Sequence, residues 1–191
     1  MELLEGKSWF SYQKLEPEFC MSKEQYDELW QERPQEECKM VAHGKVMVMA
    51  RRIQSYGHNY NFSGQQTKSK PFIPIIQYYV DLANSLDDSD DKYNMALVNW
   101  YENGEEYIGY HSDDERQLVP GSPICCFSFG AERDFLIKSI HYGDLKKYRL
   151  ENNSLMIMGG NFQKEYKHSI PKRKKVLDSR ISITLRKFKI N

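Results

Sequence analysis

The chain has little of what marks a secreted, membrane-bound or repetitive protein. Only four cysteines occur in 191 residues, and no two of them have the spacing of a zinc or dithiol motif. Cys20 and Cys38 stand alone. Cys125 and Cys126 are adjacent, so on a strand they point to opposite faces and cannot serve one site. Reduced, partly buried thiols are the expectation. No apolar run approaches the roughly 20 residues that cross a bilayer, so a membrane is not an expected partner. The first residues lack a basic patch followed by an apolar stretch, which reads against a secretory leader and for an intracellular protein. No repeat, low-complexity tract or composition shift divides the chain, so 1–191 reads as one domain, with a monomer as the default. Net charge is zero, which removes any bulk attraction to polyanions. The charge is unevenly placed, however: acids outnumber bases ten to five over residues 1–40, and bases outnumber acids ten to two over 161–191. A basic C-terminal segment can face phosphates, but on charge alone a solvated face balanced by the acidic N-terminus is the plainer reading.

What is present is ordered. Residues 17–30 read as a helix, with Ser22 and Gln25 spaced as a capping box. Residues 71–86 read as a second, with Pro71 and Pro74 in its first turn and an apolar stripe of Ile75, Ile76, Tyr79, Val80 and Ala83. From residue 94 the pattern changes to strands, at 94–101, 107–113, 124–129, 133–138, 154–158 and 180–188. Turn signals separate them, among them Asn103-Gly104 and Pro120-Gly-Ser-Pro123. The last strand alternates Ile181, Ile183 and Leu185 against Ser182, Thr184 and Arg186. The fold class that follows is α+β, mainly β: a sandwich or jelly roll with N-terminal helices buttressing one sheet.

Within this frame a set of polar residues stands out. His111 and Asp113 lie two apart, so on a strand both face one side. His168 follows, then Arg180 and Arg186 at an even spacing, with Thr184 on the same face. Two imidazoles and one carboxylate can hold Fe(II) on one face and leave the other open for a cosubstrate and O2. Two arginines just beyond can grip a dicarboxylate such as 2-oxoglutarate through bidentate pairs. Each piece alone is weak, since a lone histidine is more often structural and two strand arginines are more often surface charges. Their order is much less common than the pieces. His43, His58 and His141 lack a carboxylate two residues away and an arginine strand behind them. Zinc accepts the same three ligands, with Asp114 or Glu115 as a general base; the arginine pair favours iron.

The block His111-Ser-Asp-Asp-Glu-Arg116, with Pro120-Gly-Ser-Pro-Ile124 and Ser128-Phe-Gly-Ala-Glu-Arg133, resembles the AlkB family of nucleic-acid dealkylases, in particular the DNA-repair branch found in animals. The likeness continues through His168-Ser-Ile-Pro-Lys-Arg-Lys-Lys-Val176 and 180–188. It is weaker at Ala50-Arg-Arg-Ile-Gln-Ser-Tyr-Gly57 and at Tyr60-Asn-Phe-Ser-Gly64. The resemblance implies a double-stranded β-helix (jelly roll) with Fe(II) on His111, Asp113 and His168. It implies 2-oxoglutarate on Asn99, Tyr101, Arg180, Thr184 and Arg186. It places Asp114 and Glu115 toward the substrate base, Tyr60, Asn61 and Phe62 in a lid over it, and His43, Gly44 and Lys45 in a loop that probes the duplex. About 1–90 would then supply the lid and supporting helices, and about 91–191 the catalytic core. The implied activity is oxidative removal of methyl groups from 1-methyladenine or 3-methylcytosine in DNA or RNA. Two positions depart from the family. Ser182 stands where the family often has Asn, and His43 stands where a relative carries an aromatic wedge; a smaller, polar wedge fills the gap of an extruded base less well.

Other readings use the same fold. One is a 2-oxoglutarate oxygenase acting on protein or a small molecule. Another is a non-catalytic nucleic-acid reader, against which the intact iron and cosubstrate residues argue. Tyr60 and Phe62 also fit plain core packing. Lys172 to Lys175 resemble a nuclear-localisation patch, but they follow a metal ligand directly, which favours a structural or phosphate-facing role.

Overall fold

The structure, a computed structural model, describes residues 1–4, 6–42, 44–62, 65–141 and 143–189; for 40–42, 45, 61–62 and 65–67 it describes the backbone alone. The N-terminal part holds strands β1 (Glu2–Leu3) and β2 (Ser8–Lys14), helix α1 (Lys23–Gln31), and strands β3 (Lys39–Ala42), β4 (Lys45–Val48), β5 (Arg52–Tyr56), β6 (Tyr60–Phe62) and β7 (Gln65–Thr67). Helix α2 (Pro74–Ser85) leads to β8 (Met95–Tyr101), β9 (Ile108–His111), β10 (Ile124–Gly130), β11 (Arg133–Ser139), β12 (Leu145–Leu150) and β13 (Ser154–Gly160). A single turn, α3 (Phe162–Glu165), precedes β14 (Tyr166–Ile170) and β15 (Arg180–Arg186).

Two antiparallel sheets face each other. The larger has the order β1-β2-β13-β10-β15-β8-β5, and the smaller β12-β11-β14-β9. The alternation in β15 explains the layering. Ile181, Ile183 and Leu185 join Val98, Trp100, Phe127 and the buried faces of α1 and α2 in one core. Arg180, Ser182, Thr184 and Arg186 face the space between the sheets. There a second core gathers Phe10, Phe135, Ile137, Met158 and Phe162. The large sheet is therefore covered on both faces, and every residue of β8 is buried. Asn99 is the polar exception in that strand, and it faces the inter-sheet space.

The helices start where local chemistry places them. Ser22 Oγ accepts from the Gln25 N–H at 3.3 Å, and the Gln25 side chain accepts from the Ser22 N–H at 2.9 Å. Such a cap contributes about 1 kcal/mol. Pro74, not Pro71, opens α2, and Leu82 belongs to its buried stripe. Trp100 Nε1 donates to the Leu29 carbonyl at 2.9 Å, fastening α1 to the large sheet.

Several boundaries differ from those read in the sequence. The helix expected at 17–30 is a 3-10 turn, Pro17–Phe19, followed by α1. The strand expected at 107–113 stops at His111, and that at 180–188 stops at Arg186. Beyond these ends the chain makes a new pairing: Val119 N–H donates to Lys187 O, and Lys189 N–H to Gln117 O. Strands β2, β12 and β14 were not among those read from the sequence, because none carries a clear apolar alternation; their partners in the sheets fix them.

Candidate active site

The triad is assembled by the small sheet. His111 and His168 are Cα partners on β9 and β14, and their ring centroids lie 4.3 Å apart. Asp113 is not carried by the strand. Its N–H donates to Gln163 Oε1 at 2.8 Å, and Ser112 Oγ donates to the Tyr166 carbonyl at 2.9 Å. These two bonds from α3 and β14 fold residues 112–113 back over the sheet. One ligand atom from each of His111, Asp113 and His168 then lies within 4.8 Å of the others.

Ring orientation follows from the hydrogen bonds. His111 Nδ1 lies 2.9 Å from the Gly109 carbonyl, which can only accept. Nδ1 therefore carries the proton, and Nε2 keeps its lone pair for a metal. His168 is buried, and its Nδ1 has no hydrogen-bond partner among the described residues. Burial, reinforced by His111, pushes the His168 imidazole down to about 3, so it is neutral at physiological pH as a ligand must be. Burial alone would raise the Asp113 carboxyl, but Arg186 and the two imidazoles outweigh it and hold it down to about 2.

These shifts give a pH prediction for metal-free protein. Unfolded His168 titrates near 6.5, far above its folded value. Between those values the unfolded chain binds the extra proton, so stability falls as pH drops below about 6.5. Thermal melting with a chelator present is expected to show Tm declining from pH 7 toward 4. The H168Q variant should flatten that decline; an unchanged slope would remove His168 as its source.

The arginines divide the space between the sheets. Arg186 Nη2 lies 2.8 Å from Asp113 Oδ2, and its Nε 3.5 Å from Glu115 Oε1. Its guanidinium carbon sits 5.2 Å from the centre of the Tyr60 ring. Arg180 lies at the other end of β15. Its Nη2 donates to Ser128 Oγ at 2.8 Å, and its guanidinium carbon is 5.1 Å from the Tyr101 ring centre. Nε and Nη1 of both arginines lack a hydrogen-bond partner among the described residues, but Arg186 has two carboxylates within 3.5 Å whereas none pairs with Arg180 there. A buried cation left in this state is costly unless an anion joins it. Six residue steps along the strand separate the two arginines, about 20 Å between Cα atoms. Long side chains reaching inward leave room for a five-carbon dicarboxylate. The donor set thus fits an Fe(II) ion at the triad and 2-oxoglutarate between triad and Arg180.

Asn99, Tyr101, Thr184, Asp114, Glu115 and Tyr60 among the remaining expected residues line one cavity of about 1150 Å³. Asn99 Oδ1 accepts from Arg51 Nε at 2.8 Å. Register pairs Arg180 with Tyr101 and Ser182 with Asn99, so β8 and β15 present one continuous polar surface. Asp114 is exposed at the mouth, whereas the Glu115 carboxylate turns inward to Arg186 and the Tyr60 hydroxyl. Tyr60 itself is buried with Met49, Ile53, Met95, Leu97 and Phe188, and it also lines the cavity. Gly44 has a φ of +72° next to β4. His43 and the side chains of Lys45, Asn61 and Phe62 lie outside the described residues. The basic run after the triad is tied down: Lys172 pairs with Glu105 at 3.7 Å, and Arg173 pairs with Asp134. Gly104 is required there, because a Cβ on it would stand 1.8 Å from the Arg173 carbonyl.

Three contributors escape a reading of the sequence. Arg51 had only the weak Ala50-Arg-Arg likeness as a signal. Gln163 and Ser128 carried none, since an amide or a hydroxyl becomes informative only when its partner is known.

Comparison with known proteins agrees with this geometry. The model of the 2OG-Fe(II) oxygenase superfamily matches residues 6–186. The chain is 34% identical over 184 residues to human DNA oxidative demethylase ALKBH2, covering 87% of this chain and 70% of that protein. The same-named Bos taurus protein is 34% identical over 186 residues, covering 87% of this chain and 66% of its own length. The chain thus spans about two thirds of these relatives. The structure of OsALKBH1 superposes with a TM-score of 0.56 at 18% identity, over 97% of this chain and 100% of that one, a likeness of fold alone. Among the described residues no helix is long and apolar enough to cross a membrane. A family model spanning both sheets, relatives at one third identity and a triad with ligand spacing lead to one assignment: the chain belongs to the AlkB family of 2OG-Fe(II) oxygenases, with Fe(II) and 2-oxoglutarate as its cofactors.

Proposed function

We propose that the protein is an oxidative demethylase of N-alkylated nucleic-acid bases such as 1-methyladenine and 3-methylcytosine. The observation that carries this reading is Asp114, an exposed carboxylate beside a triad whose Asp113 and His168 are buried and whose His111 reaches the cavity, at the mouth of a cavity larger than the cosubstrate needs. Methylation at these ring nitrogens makes the base cationic and breaks its pairing, so it leaves the stack at low cost and meets a carboxylate at the entrance. The names of the ALKBH2 relatives support the same substrate class.

When bound, Fe(II) with 2-oxoglutarate and O2 supplies the oxidation, giving succinate, CO2 and a hydroxymethyl group that leaves the base as formaldehyde. The chain's part is positioning. Arg180 offers its two unpartnered nitrogens to the far carboxylate, with Tyr101 against its guanidinium and Ser128 fixing it. Asn99, itself held by Arg51, and Thr184 line the path between the two ends. Arg186 neutralises Asp113 and keeps the ligand ionised in a buried setting. Gly109 holds the His111 tautomer. The 1–90 segment adds β1, β2 and β5 to the large sheet, holds Asn99 through Arg51 and lines one side of the cavity with Tyr60, while 91–191 carries the triad and both arginines.

Mass spectrometry of an oligonucleotide with one 1-methyladenine tests this directly. Loss of one CH2 that requires 2-oxoglutarate is the expected result, and which of the single- and double-stranded forms is faster tests whether His43 serves as a wedge. Succinate formed with no loss would retain the oxygenase and assign it to a protein or small-molecule substrate.

A further inference from the structure

The strand pairing beside the triad is irregular. His111 pairs with His168, yet the next pair is Ile108 with Ile170, so residues 109 and 110 of β9 oppose Ser169 alone. This is a β-bulge, a device that re-aims side chains next to active sites. It lets His111 face the triad and Ile108 the inter-sheet core although they are three residues apart. Tyr110 is left 43% exposed at the cavity mouth.

The adjoining strands carry a second oddity. Lys167 on β14 is exposed at the same mouth, and its register partner on β11 is Lys138, also exposed. Their neighbours Ile137 and His168 pair with each other and are buried, so the two lysines share the outer face. Like charges directly opposite on a sheet destabilise it, with Cβ atoms about 5 Å apart. Nearby Lys147 has Asp134 as a partner at 3.3 Å, but among the described residues neither Lys138 nor Lys167 is ion-paired. An uncompensated lysine pair beside an exposed aromatic ring has the chemistry of a phosphate-and-base surface.

We propose that Tyr110, Lys167 and Lys138 form a track for the unpaired nucleic-acid strand flanking the base in the cavity. Tyr110 stacks the neighbouring base, and the two lysines take phosphates beyond it. This rests on the reading of the substrate as nucleic acid. A single strand is the occupant because a free aromatic face requires an unstacked base, which a duplex flank does not offer.

Anisotropy of a labelled, unmodified single strand of about fifteen nucleotides gives a readout independent of demethylation. With full-length protein, Y110A is expected to weaken Kd about 5- to 150-fold, the range for loss of one stacked base. K138Q/K167Q is expected to lower the slope of log Kd against log salt by about 1.4, for two phosphates at roughly 0.7 each. That double variant also relieves repulsion, so its Tm should be no lower than wild type. Wild-type Kd and slope in both variants, or affinity lost only in step with Tm, would overturn the track. In parallel, wild-type protein is assayed on the methylated strand. No demethylation there, with the binding changes as expected, sinks the demethylase reading and keeps the track.

Discussion

D113N is expected to abolish demethylation while leaving a folded protein. Asp113 is 3% exposed and lies between a metal site and Arg186. Asparagine keeps its shape and one acceptor for Arg186 but removes the charge that binds Fe(II). The loss should exceed the roughly 10- to 100-fold that removing an outer-shell partner causes. D113A adds a different effect. Both substitutions take the nearest carboxylate from Arg186 and leave Glu115, but alanine also removes the acceptor that asparagine keeps, and a hydrogen bond to a charged group contributes about 1.5–3 kcal/mol. Tm should therefore fall more in D113A than in D113N, although both are inactive. The sign of the pH effect is fixed as well. The folded carboxyl is held at about 2, below its ordinary 3.8, so its contribution is present above pH 4 and is lost as pH falls toward 2. Iron content, turnover and melting on the two variants check this. A D113N protein that retains iron and turns over within tenfold of wild type would remove Asp113 from the triad.

R180M is expected to raise the 2-oxoglutarate concentration needed for half-maximal rate by about 30- to 4000-fold. Truncating one partner of a buried, hydrogen-bonded charge pair costs about 2–5 kcal/mol, and each 1.4 kcal/mol is tenfold. The metal-free, cosubstrate-free protein should behave oppositely. Arg180 is 2% exposed with two unpartnered nitrogens, so an apolar side chain of similar length removes an uncompensated charge and leaves Tm equal or higher. R186M differs, because Arg186 is already paired with Asp113 and Glu115 and its loss destabilises the fold. Succinate release against cosubstrate concentration, with melting curves for each variant, separates the two arginines. An unchanged half-saturation in R180M would mean that another group anchors the far carboxylate.

The periodic and paired features were legible in the chain. Ile181, Ile183 and Leu185 announce a strand with one apolar face because period two is a local property. Ser22 with Gln25 announces a helix start because a capping box closes within four residues. His111, Asp113, His168, Arg180 and Arg186 announce iron and a dicarboxylate because metal and anion sites demand particular side chains whatever carries them. Strand β14 was not legible, although it holds His168. Its alternation is masked by Ser169 and Lys167, and only pairing with β9 and β11 fixes it.

The sequence by itself determined the chemistry: which atoms can bind metal, which can bind carboxylates, and in what order. Tertiary structure decided the geometry. Asp113 does not reach the triad by strand alternation, as its spacing from His111 suggested, but through its own bond to Gln163, 50 positions away, and that of Ser112 to Tyr166, 54 positions away. Arg186 is committed to Asp113 and Glu115 while Arg180 is left open, a division that two equivalent arginines in a strand pattern could not reveal. The bulge at Tyr110 and the opposed Lys138 and Lys167 likewise exist only once β9, β14 and β11 lie side by side. Local rules act over a few residues, whereas these arrangements depend on contacts between segments far apart in the chain.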